Sequence, residues 1–137
     1  MSLQKNIKGD RIEVTEGSEP EIGLVLEDKF HTQLFAGAVS SAVMTVYRKG
    51  GIVIAPASRD IIGYFHTDGE VILDDITYSA TVPLTLDDTK IYDVGATSKF
   101  DVRILHIEFV PISSPRRATQ DVWVYIENLM KDYNPPT

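Results

Sequence analysis

The sequence predicts an all-β fold, an antiparallel sandwich of about eight or nine short strands, and three observations carry that expectation. First, apolar and polar residues alternate over short runs, the period-2 pattern of a pleated strand with one buried face. In the clearest run Ala42, Met44 and Val46 share one parity, while Val43, Thr45 and Tyr47 share the other. Second, clusters of turn formers punctuate the runs: Gly17-Ser18-Glu19-Pro20, Gly50-Gly51 and Thr67-Asp68-Gly69. Third, no strand-like run alternates with a long helical one, which sets aside a parallel α/β sheet.

The elements follow in order. Residues 1–9 are polar and read as an N-terminal arm. Asp10 to Thr15 alternates Ile12 and Val14 with charges, giving a first strand; Ile22, Leu24 and Leu26 then share one face of a second. Glu27-Asp28-Lys29 opens a loop to Gly37 with apolar anchors at Leu34 and Phe35. Ala38 to Gly51 is the central strand and its turn, where Gly50-Gly51 supplies the positive φ angles of a hairpin. Ile52 to Ala55 returns as a strand, followed by a loop at Pro56–Asp60.

Ile61–Phe65 and Glu70–Asp74 read as a hairpin about Thr67-Asp68-Gly69. Ile76, Tyr78, Ala80, Val82 and Leu84 alternate along the next strand, whose Pro83 suits an edge or a strand end. Leu86 to Gly95 is polar enough for a crossover loop with a helical turn. Phe100 to Val110 is the longest strand. Its apolar parity changes from Phe100, Val102 and Ile104 to Leu105, Ile107 and Phe109, the mark of a β-bulge. Ser113–Thr119 is a hairpin loop and Asp121–Glu127 the closing strand, with a helical turn at Asn128–Lys131. Val122, Tyr125, Ile126, Leu129 and Tyr133 also fit helical spacing, but the V-W-V-Y-I core is rich in strand formers. Residues 132–137 form a flexible tail. The whole, residues 1–137, is one domain.

Composition narrows the function classes. Hydrophobic residues at 43% and charged residues at 24% are ordinary for a globular chain. A net charge of −7 argues against nucleic acid, which needs a concentrated positive surface. The absence of cysteine excludes disulfides, thiolate metal sites and cysteine nucleophiles. No run is apolar enough to span a bilayer as a helix, and the opening M-S-L-Q-K-N lacks the apolar core of a signal peptide. The expectation is neither a membrane partner nor a signal peptide.

Candidate chemistry is sparse. His31, His66 and His106 show no metal-ligand spacing and read as solvated or hydrogen-bonded side chains. Glu27-Asp28, Asp74-Asp75 and Asp87-Asp88, with Asp68 and Glu70, match no calcium loop and read as turn chemistry on an acidic surface. No G-x-S-x-G elbow or nucleophile–base pairing stands out, so no catalytic, cofactor or metal residue is nominated and the chain is expected not to be an enzyme. Arg116-Arg117 reads as a solvated loop tip that can meet an acidic partner or phosphate. Trp123, Tyr125, Tyr47 and Tyr78 can form a sugar-binding platform, although Trp123 reads first as a core or half-core residue.

Several of these segments together resemble the immunoglobulin-like β-sandwich domains of tailed-bacteriophage and prophage structural proteins, including baseplate and tail-fibre subunits. They are Gly9-Asp10, Gly37-Ala38 leading into Ala42–Val46, Asp68-Gly69-Glu70-Val71-Ile72-Leu73, Asp88-Thr89, Phe100-Asp101-Val102-Arg103-Ile104, and Val122 with Val124. The likeness spans most of residues 9–126. It implies a non-catalytic assembly module, located in a virion or in the bacterial cytoplasm during assembly, with protein partners and self-association in a homo-oligomer. A carbohydrate- or cell-surface-binding module is the alternative. The second face of the central strand, with Val43 and Tyr47, is where a partner is expected.

Overall fold

The computed structural model describes residues 3–4, 12–68, 72–73, 76–92 and 99–129. Within them lie ten strands: β1 (Leu3–Gln4), β2 (Ile12–Thr15), β3 (Glu21–Leu24), β4 (Val39–Arg48), β5 (Ile52–Asp60), β6 (Ile72–Leu73), β7 (Ile76–Thr77), β8 (Ala80–Pro83), β9 (Phe100–Pro111) and β10 (Ala118–Glu127). A one-turn helix, α1 (Leu86–Thr89), connects β8 to the segment before β9. The helical turn expected in the Leu86–Gly95 crossover is therefore present, while residues 93–95 of that loop lie outside the described residues.

Five strands form one sheet in the order β2-β10-β9-β4-β5, three form a second in the order β1-β3-β8, and β6 and β7 make a separate two-stranded ladder. The inward residues of both larger sheets join one hydrophobic cluster, with Ile22, Leu24, Ala80 and Val82 from one sheet and Met44, Val46, Leu105, Ile107 and Val124 from the other. The fold is thus all-β and layered. It is not purely antiparallel: β1 runs parallel to β3, and β2 runs parallel to β10. A parallel pair needs a long crossover between its strands. Strands β3 to β9 lie between β2 and β10 and supply it.

The central strand behaves as its alternation predicts. Ala42, Met44 and Val46 are buried, and Val43, Thr45 and Tyr47 lie half-buried on the other face. Gly50 and Gly51 close the β4–β5 turn at φ 87° and 75°, a region costly for any residue with a Cβ.

Beyond the parallel pairs, and β1, which ties part of the expected N-terminal arm to β3, four expectations are corrected. The Pro56–Asp60 loop belongs to β5, where Arg59 and Asp60 pair with Met44 and Val43. Register is lost only between Met44 and Val46, opposite the stretch holding Pro56, which has no N–H to donate and is tolerated on an edge strand. Ile61–Phe65 is not a strand: the Asp60 carboxylate accepts from the Ile62 amide at 3.0 Å and starts a 3-10 turn over Ile62–Tyr64. Phe65 then makes a single bridge to Ala80, and β6 pairs with β7 instead, while residues 69–71 and 74–75 lie outside the described set.

The Ile76–Leu84 run is split at Tyr78-Ser79, because Ser79 turns its hydroxyl to the Leu26 backbone, accepting from its N–H at 3.0 Å. Finally, β9 contains no bulge. Its register with β10 and along Arg103–Phe109 with β4 is continuous, and the inward row reads Arg103, Leu105, Ile107, Phe109. The apparent parity change arises because a charged residue occupies an inward position.

That arginine is fully buried, and each of its three side-chain nitrogens donates a hydrogen bond. Arg103 Nε donates to the Asp88 carbonyl at 2.7 Å, Nη1 donates to Asp101 Oδ2 at 2.9 Å and to the Val102 carbonyl at 3.0 Å, and Nη2 donates to the Lys90 carbonyl. A buried charge is tolerable only when so satisfied. Beside it, Arg59 of β5 grips the buried Asp88 carboxylate with two bonds of 2.6 Å. The Tyr92 ring lies against Arg48 and Arg103 at 4.5 and 5.5 Å. These contacts pin α1 across one end of the five-stranded sheet.

Candidate functional site: the outer face of the five-stranded sheet

The alternation that buries Val122, Val124 and Ile126 places Asp121, Trp123 and Tyr125 on the opposite, outward side of β10. Register with the neighbouring strands assembles rows across this face. Trp123 stands opposite Ile104, Ile104 opposite Tyr47, and Tyr47 opposite Val53, giving one apolar row over four strands. Tyr125 opposite Val102 makes a second, with Phe100 edge-on to the Tyr125 ring at 6.3 Å. Trp123 is 53% exposed and Val53 40%, so the row is open to solvent. Trp123 is therefore not the core residue that the sequence suggests. With both parities of V-W-V-Y-I apolar, composition could not say which side turns inward; pairing with β9 decides it.

Next to the apolar row runs a titratable one. His106 stands between Asp121 of β10 and Thr45 of β4. Its Nδ1 lies 2.6 Å from Asp121 Oδ1, its Nε2 lies 3.4 Å from Glu108 Oε1, and its ring meets Tyr47 edge-on at 6.4 Å. The Asp121 hydrogen bond, followed by the fields of Asp121 and Glu108, holds the imidazole above its ordinary value despite partial burial. Arg117 adds a longer contact to Glu108 at 3.6 Å. Asp121 and Glu108 are thus both held by contacts within the chain, while Glu13 of β2 stands opposite Tyr125 on the same face.

The other sequence candidates scatter. His31 sits on an exposed loop at φ 64°, and His66 bonds Thr81 Oγ1 through Nε2 at 2.7 Å on the far sheet. Asp28 is a loop organiser: its Oδ1 accepts from the Phe30 and Thr32 amides and its Oδ2 from Ser113 Oγ, and the Thr32 bond foremost holds its carboxyl pKa below the ordinary value. Asp88 belongs to the buried ion pair. Asp68 and Asp87 are exposed, and Glu70, Asp74 and Asp75 lie outside the described residues. Tyr78 is fully buried, away from Tyr47, Trp123 and Tyr125, which share the outer face. Among the described residues no group of three or more His, Asp or Glu side chains is arranged to hold a metal ion. No described helix is long and apolar enough to cross a membrane.

Ile104 and Val53, which complete the apolar row, are not singled out by sequence. Their signal is cross-strand register, which a single strand does not carry. Comparison of the chain with protein-family models, with curated proteins and with solved structures gives no match.

Proposed function

We propose that this chain is a non-catalytic assembly module, an immunoglobulin-like sandwich of the tailed-phage or prophage structural type, that associates with a second copy through the outer face of its five-stranded sheet. The carrying observation is the solvent-open row Trp123-Ile104-Tyr47-Val53, where a solvated sheet face ordinarily carries polar residues. Tryptophan and tyrosine are also the residues enriched at the buried centres of protein interfaces. Contacts of Asp121 and Glu108 with His106 and Arg117 reduce the repulsion between two copies of an acidic chain on this face, where Glu13 opposite Tyr125 is a further carboxylate. The immunoglobulin-like class is supported by strand order: a β10-β9-β4 core extended at one edge by β5 and facing a smaller sheet fits the variable-type plan. The phage assignment rests on the segment likeness described above.

Sedimentation velocity over a wide concentration range tests the association. Trp123→Ala is expected to weaken it by about tenfold or more, the scale of an interface hot spot, with the far-UV spectrum unchanged. A wild-type chain that stays monomeric throughout overturns the reading. The clustering of Trp123, Tyr47 and Tyr125 on one face also favours a second reading, a carbohydrate-binding platform. Glycan-array binding lost in Trp123→Ala supports it, and a blank array removes it.

A further inference from the structure

The apolar row of the outer face is bordered by charged groups, and one of them is a histidine, whose charge changes near neutral pH. His106 is half-buried on β9, the middle strand of the five-stranded sheet. From β10 it faces Asp121, and along its own strand it faces Glu108, the two carboxylates approaching Nδ1 and Nε2 at 2.6 and 3.4 Å. From β4 it faces Thr45, directly opposite, and the Tyr47 ring, edge-on at 6.4 Å. Arg117, from the loop before β10, reaches Glu108 at 3.6 Å. Farther out, Asp60 of β5 stands opposite Val43, and Glu13 of β2 stands opposite Tyr125.

The proton on His106 decides the balance of this cluster. With it in place, the imidazolium and Arg117 match Asp121 and Glu108. Without it, each copy carries one more uncompensated carboxylate, next to Tyr47 and one row from Trp123. A contact between identical faces is self-complementary, so the excess charge stands on both sides of it. Covering the face with a second copy also removes water that screens those charges, which strengthens their repulsion.

We infer that His106 is the proton switch of the outer-face contact: two copies associate while its imidazole is protonated and separate when the proton is lost. The inference rests on the outer-face association proposed above and adds its regulation. By linkage, a contact that needs the proton also holds it more tightly, so association raises the pH at which His106 titrates. The other two histidines stand apart from this face, His31 on an exposed loop and His66 bonded to Thr81 on the far sheet.

Sedimentation velocity on the full chain at about pH 6 and about pH 8.5 brackets the histidine while the carboxylates stay ionised. The wild type is expected to associate about fivefold to tenfold more weakly at the higher pH, the scale of an exposed charge pair repeated on both copies. His106→Gln keeps a hydrogen-bonding side chain with no proton to lose, and is expected to associate weakly at both values. Asp121→Asn combined with Glu108→Gln removes the carboxylates that the switch acts on, and is expected to abolish the weakening at the higher pH. In the wild type, NMR titration of His106 is expected to give a higher midpoint in a concentrated, associated sample than in a dilute one. Equal wild-type association at both values, an unmoved His106 midpoint, or a His106→Gln variant that weakens with pH as the wild type does overturns the switch and leaves the outer-face reading standing. A wild type that is monomeric at both values overturns that reading and the switch with it.

Discussion

Replacing Asp88 by asparagine tests whether the buried ion pair at the α1 end holds the fold. Asp88 is fully buried, and its carboxylate accepts both Arg59 Nη bonds at 2.6 Å and the Thr85 amide at 2.8 Å. Its own amide bonds Thr85 Oγ1, completing a capping box. The asparagine amide matches the carboxylate in shape but turns a donor toward the guanidinium. Arg59, whose side chain is only 11% exposed, then keeps its charge without a counterion. Removing one partner of a buried pair costs about 3–5 kcal/mol, and three backbone carbonyls that still accept from Arg59 place the expectation at the low end, about 3 kcal/mol. For a domain of this size that corresponds to a fall in Tm of roughly 10 °C. Urea titration followed by far-UV circular dichroism is the assay, repeated on Arg59→Met and on the double variant. A coupling of about 2 kcal/mol is expected from the cycle. A loss below about 1 kcal/mol, or strict additivity, would refute the argument that the pair acts as a unit.

Ser79→Ala removes the hydroxyl that accepts from the buried Leu26 amide at 3.0 Å and donates to its carbonyl at 3.3 Å, and is expected to cost about 1–3 kcal/mol in the same titration. An unchanged midpoint would mean that Leu26 finds another partner. His106 should make stability depend on pH. Its folded value is raised, so its contribution is complete below the ordinary value of 6.5 and fades as pH climbs through the raised one. Across that window the wild type is expected to lose up to about 1 kcal/mol relative to His106→Gln, the scale of an exposed pair. Parallel stability–pH curves for the two proteins, with His106 followed by NMR titration, would remove the role assigned to Asp121.

Much of the architecture was legible because burial on one side of a pleat writes itself as alternation. β2, β4 and β10 fall where period-2 patterns place them, and Gly50-Gly51 marks its turn through the positive φ angles it adopts. What escaped involves a polar side chain acting in place of backbone or of an apolar residue. Arg103 stands inward with its guanidinium bonded to carbonyls of Asp88, Lys90 and Val102, so an uninterrupted strand imitated a bulge. Asp60 accepted from the Ile62 amide and opened a 3-10 turn where Ile61–Phe65 read as a strand, and Ser79 interrupted a run that otherwise alternates. The outer face was half legible: Tyr47 and Val43 were placed on it by parity, but Trp123 was not, because its flanking valines are as apolar as it is.

The arrangement also bears on how copies would meet. Sheet edges are the other route to assembly, since a free edge presents unpaired backbone groups to another strand. Here β2 and β5 form the edges of the larger sheet. The β5 edge contains Pro56, which cannot donate, and leaves register with β4 around it. The β2 edge is four residues long and turns the exposed Glu13 and Thr15 outward. Short strands, proline and charge are the devices that blunt an edge. The middle of the same sheet carries Trp123, Ile104 and Tyr47 without such protection. Edges so guarded beside an open apolar face favour contact through side chains over strand addition. A self-associated form should therefore leave amide exchange along β5 unchanged while shielding Trp123 from aqueous quenchers. Slowed β5 exchange with Trp123 still quenched would reverse the preference and point to edge pairing.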